Sequence, residues 1–142
     1  IRVVDLDLSY SYRENSSLVL NEKLDDIGNK IKFNWLDYSN IYKMIDILKL
    51  DLTSLYPKYE NIFEQNSLLL KEKFMKDYNE FMDYVLDNKL DIAVIQIGNS
   101  ELDYLLDSLE IYHYNIGYNP NKNLLKKTME ETGTNKFVSY KK

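Results

Sequence analysis

The 142-residue sequence predicts one α/β domain, residues 1–142, with a three- to four-stranded, mainly parallel sheet covered by about six helices. Two observations predict it. Residues 92–97 are apolar except for Gln96, as expected of a strand buried on both faces. The second half then alternates between period-two and helical spacing in the order β-α-β-α-β, which calls for parallel strands with covering helices. The length suits one domain, and 44% hydrophobic with 29% charged residues is the balance of a folded chain.

At the start, residues 4–12 alternate, with Val4, Leu6, Leu8, Tyr10 and Tyr12 to one side and Asp5, Asp7, Ser9 and Ser11 to the other; this reads as a strand with one wet face. Leu20, Leu24, Ile27 and Ile31 then recur at helical spacing and predict a helix over 18–31. A loop around Asn34 and Trp35 leads to a helix near 40–50, and short helical pieces are expected before and after Pro57. Leu70, Phe74, Phe81 and Val85 place the longest helix at 66–88. After the buried strand, Gly98-Asn99-Ser100 breaks the run, and Ser100 with Asp103 has the form of a capping box. The helix that follows buries Leu102, Leu105, Leu106 and Leu109. Residues 111–117 alternate as a second strand. Asn119 and Pro120 open a helix that Gly133 ends, and residues 136–140 make the last strand.

Composition removes several functions. With no Cys and one His, neither thiol chemistry nor a zinc site of common ligands is expected, and no cofactor or metal is assigned. No apolar run reaches the ~20 residues that a membrane helix needs. The only arginines are Arg2 and Arg13, and the net charge is −5, so direct nucleic-acid binding is not expected. The chain opens on a strand-like run in place of a basic and then apolar leader, and a cytoplasmic location is expected.

Two constellations bear on chemistry. Asp5 and Asp7, two apart on a strand, share a face that suits Mg²⁺ and a nucleophile. Val3-Val4-Asp5-Leu6-Asp7 resembles the first motif of haloacid-dehalogenase-type phosphotransferases, which implies a Mg²⁺-dependent phosphohydrolase. It departs from that motif at Leu8-Ser9, where the family has Gly-Thr. The Gly98-Asn99-Ser100 turn reads as a helix cap in preference to a phosphate cradle, because Glu101 and Asp103 repel an anion. His113, without a second His or any Cys, reads as structural, and no catalytic residue is assigned.

The second constellation is a pair of acidic stripes on successive helices, Glu80, Asp83 and Asp87 with Tyr84, and Asp103, Asp107 and Glu110 with Tyr104. Residues 77–110 hold nine acids against Lys89 alone, a field that draws cationic partners. In general character the chain resembles small acidic bacterial immunity proteins, and its element order is similar to that of the barstar family. The resemblance implies an immunity protein or antitoxin whose acidic surface plugs a basic, nuclease-type toxin domain. The phosphohydrolase and a non-inhibitory adaptor subunit are the alternatives.

Overall fold

The computed structural model describes residues 18–90 and 93–140. The predicted first strand, with Asp5 and Asp7, lies outside the described residues. Residues 18–31 do not form the predicted helix. They run extended from Leu20, which is buried, to a tight loop at residues 25–29 closed by an isolated antiparallel bridge between Leu24 and Lys30. Asp25 dictates this turn. Its carboxylate accepts from the backbone N–H groups of Asn29 at 2.8 Å and Ile27 at 3.1 Å, the local bonding by which Asp competes with helix. Leu24 and Ile27, the supposed helix face, stand in solvent.

A single 3-10 turn at Asn34–Leu36 leads into α1, Tyr38–Leu55, whose N-terminus is capped by Asp37 accepting from the Ser39 N–H at 2.8 Å. Pro57 opens a second 3-10 turn, Pro57–Tyr59, and the chain reverses into α2, Glu60–Asp87. The predicted short pieces around Pro57 therefore join the longer neighbouring helices. α2 has 28 residues and a length of about 42 Å. It lies along α1, tied by ion pairs from Lys71 to Asp46 at 2.6 Å and from Lys49 to Glu64 at 2.9 Å.

The sheet has three parallel strands in the order β2-β1-β3, namely β1 Val94–Ile97, β2 His113–Asn115 and β3 Phe137–Ser139. β1 is central: Ile95 pairs with Tyr114 on one side and with Phe137 on the other. The predicted α/β class and parallel pairing are found, with four α-helices and two 3-10 turns among the described residues. Between β1 and β2 lies α3, Asp103–Ser108, and between β2 and β3 lies α4, Lys122–Thr132. Two caps differ from expectation. Asn121, not Asn119, caps α4, accepting from the Leu124 N–H at 2.8 Å, and Gly133 ends it at φ 72°. α3 has no side-chain cap, and Ser100 contributes its carbonyl to the Asp103 N–H instead.

The main core gathers Val85 from α2, Val94 from β1, and Leu106, Leu109 and Ile111 from the α3 crossover. A smaller cluster joins Leu20 to Ile47 of α1. No described helix is long and apolar enough to cross a membrane.

Candidate functional site

In a parallel sheet, ligands meet the carboxyl ends of the strands where successive crossovers leave in opposite directions. Here the chain leaves β1 toward β2 and then returns across the sheet to β3. The change of direction therefore falls between β1 and β3, whose carboxyl ends lead into residues 98–101 and into Tyr140.

The β1 side is a tight loop held from within. Gly98 has φ 153°, and a Cβ placed on it would sit 2.4 Å from a carboxylate oxygen of Glu101. That same oxygen accepts from the Asn99 N–H at 2.7 Å, so the absent side chain at residue 98 is what lets Glu101 fold back over the loop. Ser100 is buried with a left-handed backbone, φ 67°. On the β3 side, Tyr140 packs on Phe33 with ring centroids 5.3 Å apart, and Phe33 meets Trp35 edge-on at 5.1 Å. Phe33 is itself left-handed at φ 67°, ψ 36°, a conformation that costs a side chain of this kind about 1–3 kcal/mol. Ser100 follows β1 and Phe33 packs on the residue that follows β3, so two left-handed residues lie at the carboxyl edge of the sheet.

Beneath the loop a polar network organises the face of the sheet that α3 covers. Gln96 is 1% exposed. Its Nε2 donates to Asp103 at 2.7 Å and to Asn115 at 2.6 Å, and its Oε1 accepts from the Leu102 N–H at 2.7 Å. Asn115 donates to Ser100 Oγ at 2.9 Å. The ring nitrogens of His113 meet Asp107 at 2.9 Å and Asn115 at 3.2 Å, and Asp107 also binds Lys23. Burial pushes the Asp107 carboxyl up, but hydrogen bonds from Lys23 and His113 outweigh it and hold the group below its ordinary value.

The sequence-predicted site residues fare unequally. Glu80, Asp83, Asp87 and Tyr84 are exposed on α2, with Glu80 near Lys76 and Tyr84 stacked on Phe81. Glu110 is exposed just past α3. Asp103 and Asp107 are drawn into the network just described, and Tyr104 is only 2% exposed, its hydroxyl accepting from the Lys23 N–H at 2.7 Å. The second stripe is therefore largely spent on internal contacts. Gln96, Asn115, Phe33, Trp35 and Tyr140 were not singled out from sequence; the one available signal was a polar residue inside the apolar run at 92–97.

Among the described residues no three His, Asp or Glu side chains are placed to hold a metal ion together. No protein-family model matches the chain, and no curated protein sequence matches it. Solved structures do match in fold. A manganese-bound mutant of a periplasmic metal binding protein from Candidatus Liberibacter asiaticus superposes with a TM-score of 0.63 at 14% identity, covering 84% of this chain and 47% of that one. A metal-dependent lipoprotein from Bacillus subtilis gives 0.59 at 15% identity, covering 75% and 42%. A mutant laminin-binding adhesin from Streptococcus agalactiae gives 0.60 at 16% identity, covering 87% and 50%. These likenesses correct the toxin-neutralising reading. That reading, with its basic toxin partner, took its fold from an analogy of element order, and the fold found is instead one shared with a periplasmic metal binding protein, a metal-dependent lipoprotein and a laminin-binding adhesin. The chain spans about half the length of each of them.

Proposed function

We propose that this chain forms part of a solute-binding protein whose cargo is a divalent metal ion, and that the carboxyl edge of the sheet faces the cargo. The observation that carries the reading is the match of fold over 84% of the chain to a metal-binding protein. The local chemistry supports it in part. Glu101 supplies a hard anionic oxygen at the carboxyl end of β1, beside the exposed Asn99, and oxygen donors of this kind suit Mn²⁺. Asp103 and His113 are committed to each other and to Gln96 and Asn115, so the described residues furnish only part of a coordination shell. This reading carries an extracytoplasmic location with it in place of the cytoplasmic one.

Calorimetric titration of the 142-residue chain with Mn²⁺ and with Zn²⁺ tests it. Saturable binding is expected, weakened about tenfold or more in Glu101→Gln with the circular dichroism spectrum unchanged. Absence of binding, or an affinity indifferent to Glu101→Gln, overturns the reading.

A further inference from the structure

The carboxyl edge of the sheet carries a run of aromatic rings as well as the Glu101 carboxylate. Phe33 packs on Tyr140, the residue that follows β3, and Trp35 meets Phe33 edge-on. Trp35 is the sole tryptophan of the chain and is 51% exposed, and Tyr140 also stands partly in solvent. The turn Asn34–Leu36 that displays them holds no buried residue.

That turn is nonetheless firmly built. The Phe33 carbonyl accepts from the Leu36 N–H at 2.9 Å, and the Asn34 carbonyl accepts from the wholly buried Asn40 side chain at 3.0 Å. Contacts beneath the turn therefore hold Phe33 in its left-handed conformation while the rings on either side of it stay in reach of solvent. Backbone strain held in place by its surroundings gathers at ligand clamps. A rigid aromatic surface also binds a flat ring with little loss of side-chain freedom.

The donor set at the same edge is incomplete. One Glu101 carboxylate oxygen accepts from the Asn99 N–H, and no three ligating side chains converge among the described residues. An ion such as Mn²⁺ takes an octahedral set of about six donors. Given the metal-binding reading, on which this assignment rests, we infer that the cargo is a metal ion already held by a planar aromatic chelator. The chelator supplies donors that the described residues lack, its ring lies against Trp35 and Tyr140, and Glu101 takes an open position on the metal.

Calorimetry on the 142-residue chain with Zn²⁺, with metal-free 1,10-phenanthroline and with the equimolar complex of the two tests this. The complex should bind about tenfold or more tightly than the ion alone, and metal-free phenanthroline more weakly than the complex. Emission from the sole tryptophan should fall with the complex and stay nearly constant with Zn²⁺. Trp35→Ala, at an exposed position, should bring the complex down to the affinity of the ion and leave the ion's own affinity unchanged. Trp35→Phe should restore part of the gain, and Glu101→Gln should weaken ion and complex alike. Equal affinity for ion and complex, indifference of the complex to Trp35→Ala, or metal-free phenanthroline binding as tightly as the complex overturns the chelate. The metal reading survives each of these where Zn²⁺ itself still binds through Glu101. Failure of ion and complex alike to bind overturns both.

Discussion

Asn40 holds Asn21 as a neighbouring strand residue would: its Oδ1 accepts from the Asn21 backbone N–H at 2.7 Å while its Nδ2 donates to the Asn21 carbonyl at 3.0 Å. The same Nδ2 donates to the carbonyl of Asn34 at 3.0 Å. One side chain in the first turn of α1, wholly buried, thus pins both ends of the irregular stretch that carries Lys23 to its place on Tyr104 and Asp107. Asn40→Ala leaves these backbone groups without partners and should destabilise the protein by about 2–4 kcal/mol. Urea denaturation measures the loss. A change below about 0.5 kcal/mol would mean the stretch is held by other contacts.

Tyr42→Phe runs the other way. Because the buried hydroxyl gains nothing from hydrogen bonding among the described residues, its removal should raise stability in the absence of ligand by up to about 1 kcal/mol. The thermal midpoint reads this directly, and a fall would show that the hydroxyl already has a partner in solution.

Gly98→Ala drives a methyl group into the Glu101 carboxylate and asks a side chain to adopt φ 153°. The expected destabilisation is roughly 1–3 kcal/mol. Part of it is contact with Glu101 and part is backbone strain, and a double-mutant cycle separates them. Gly98→Ala made in a Glu101→Ala background should lose less than in the native protein. Equal losses would assign the whole effect to the backbone.

Acid stability tests Asp107. Its folded-state carboxyl lies below the ordinary value of 3.8, so it contributes stability that is fully present above that value and is lost as pH falls through the folded one. Asp107→Asn should make the decline of stability below about pH 3.8 shallower. At pH 7 the side chain is 43% exposed and screened, and the loss there should stay within about 1 kcal/mol. Chemical denaturation between pH 2.5 and 7, at about ten points, gives both limbs.

The sheet was legible because its central strand lies in a run that is apolar but for Gln96; Ile95 is fully buried where the pattern puts it. α2 was legible from Leu70 to Val85, but its first turns were not. The sequence places Pro57 where a break is expected, and the break falls there, yet the apolar residues after it, Ile62 and Leu68 among them, stand in solvent and follow no buried stripe. Residues 18–31 misled for the opposite reason: their spacing suits a helix, and Asp25 overrules it through bonds no periodicity reveals. The switch point between β1 and β3 was illegible because it is a property of strand order. Gln96 takes partners 7 and 19 residues away, and neither is marked by local pattern.

α2 is one helix by its hydrogen bonds and two by what holds it. Near its end, Val85 lies in the main core with Met82 and Tyr78 packed against it. Nearer its start, Ser67 is its only buried residue, and the ties to α1 include the Lys71 and Lys49 ion pairs. Partly exposed ion pairs resist separation weakly, whereas a shared core opens only with its neighbours. The backbone amides around 62–70 should therefore exchange their hydrogens through local opening of this end of the helix, and those around 78–86 only when β1 and α3 come apart. A rod of this length, held by a shared core at one end and by ion pairs at the other, should therefore come undone from its start toward its end.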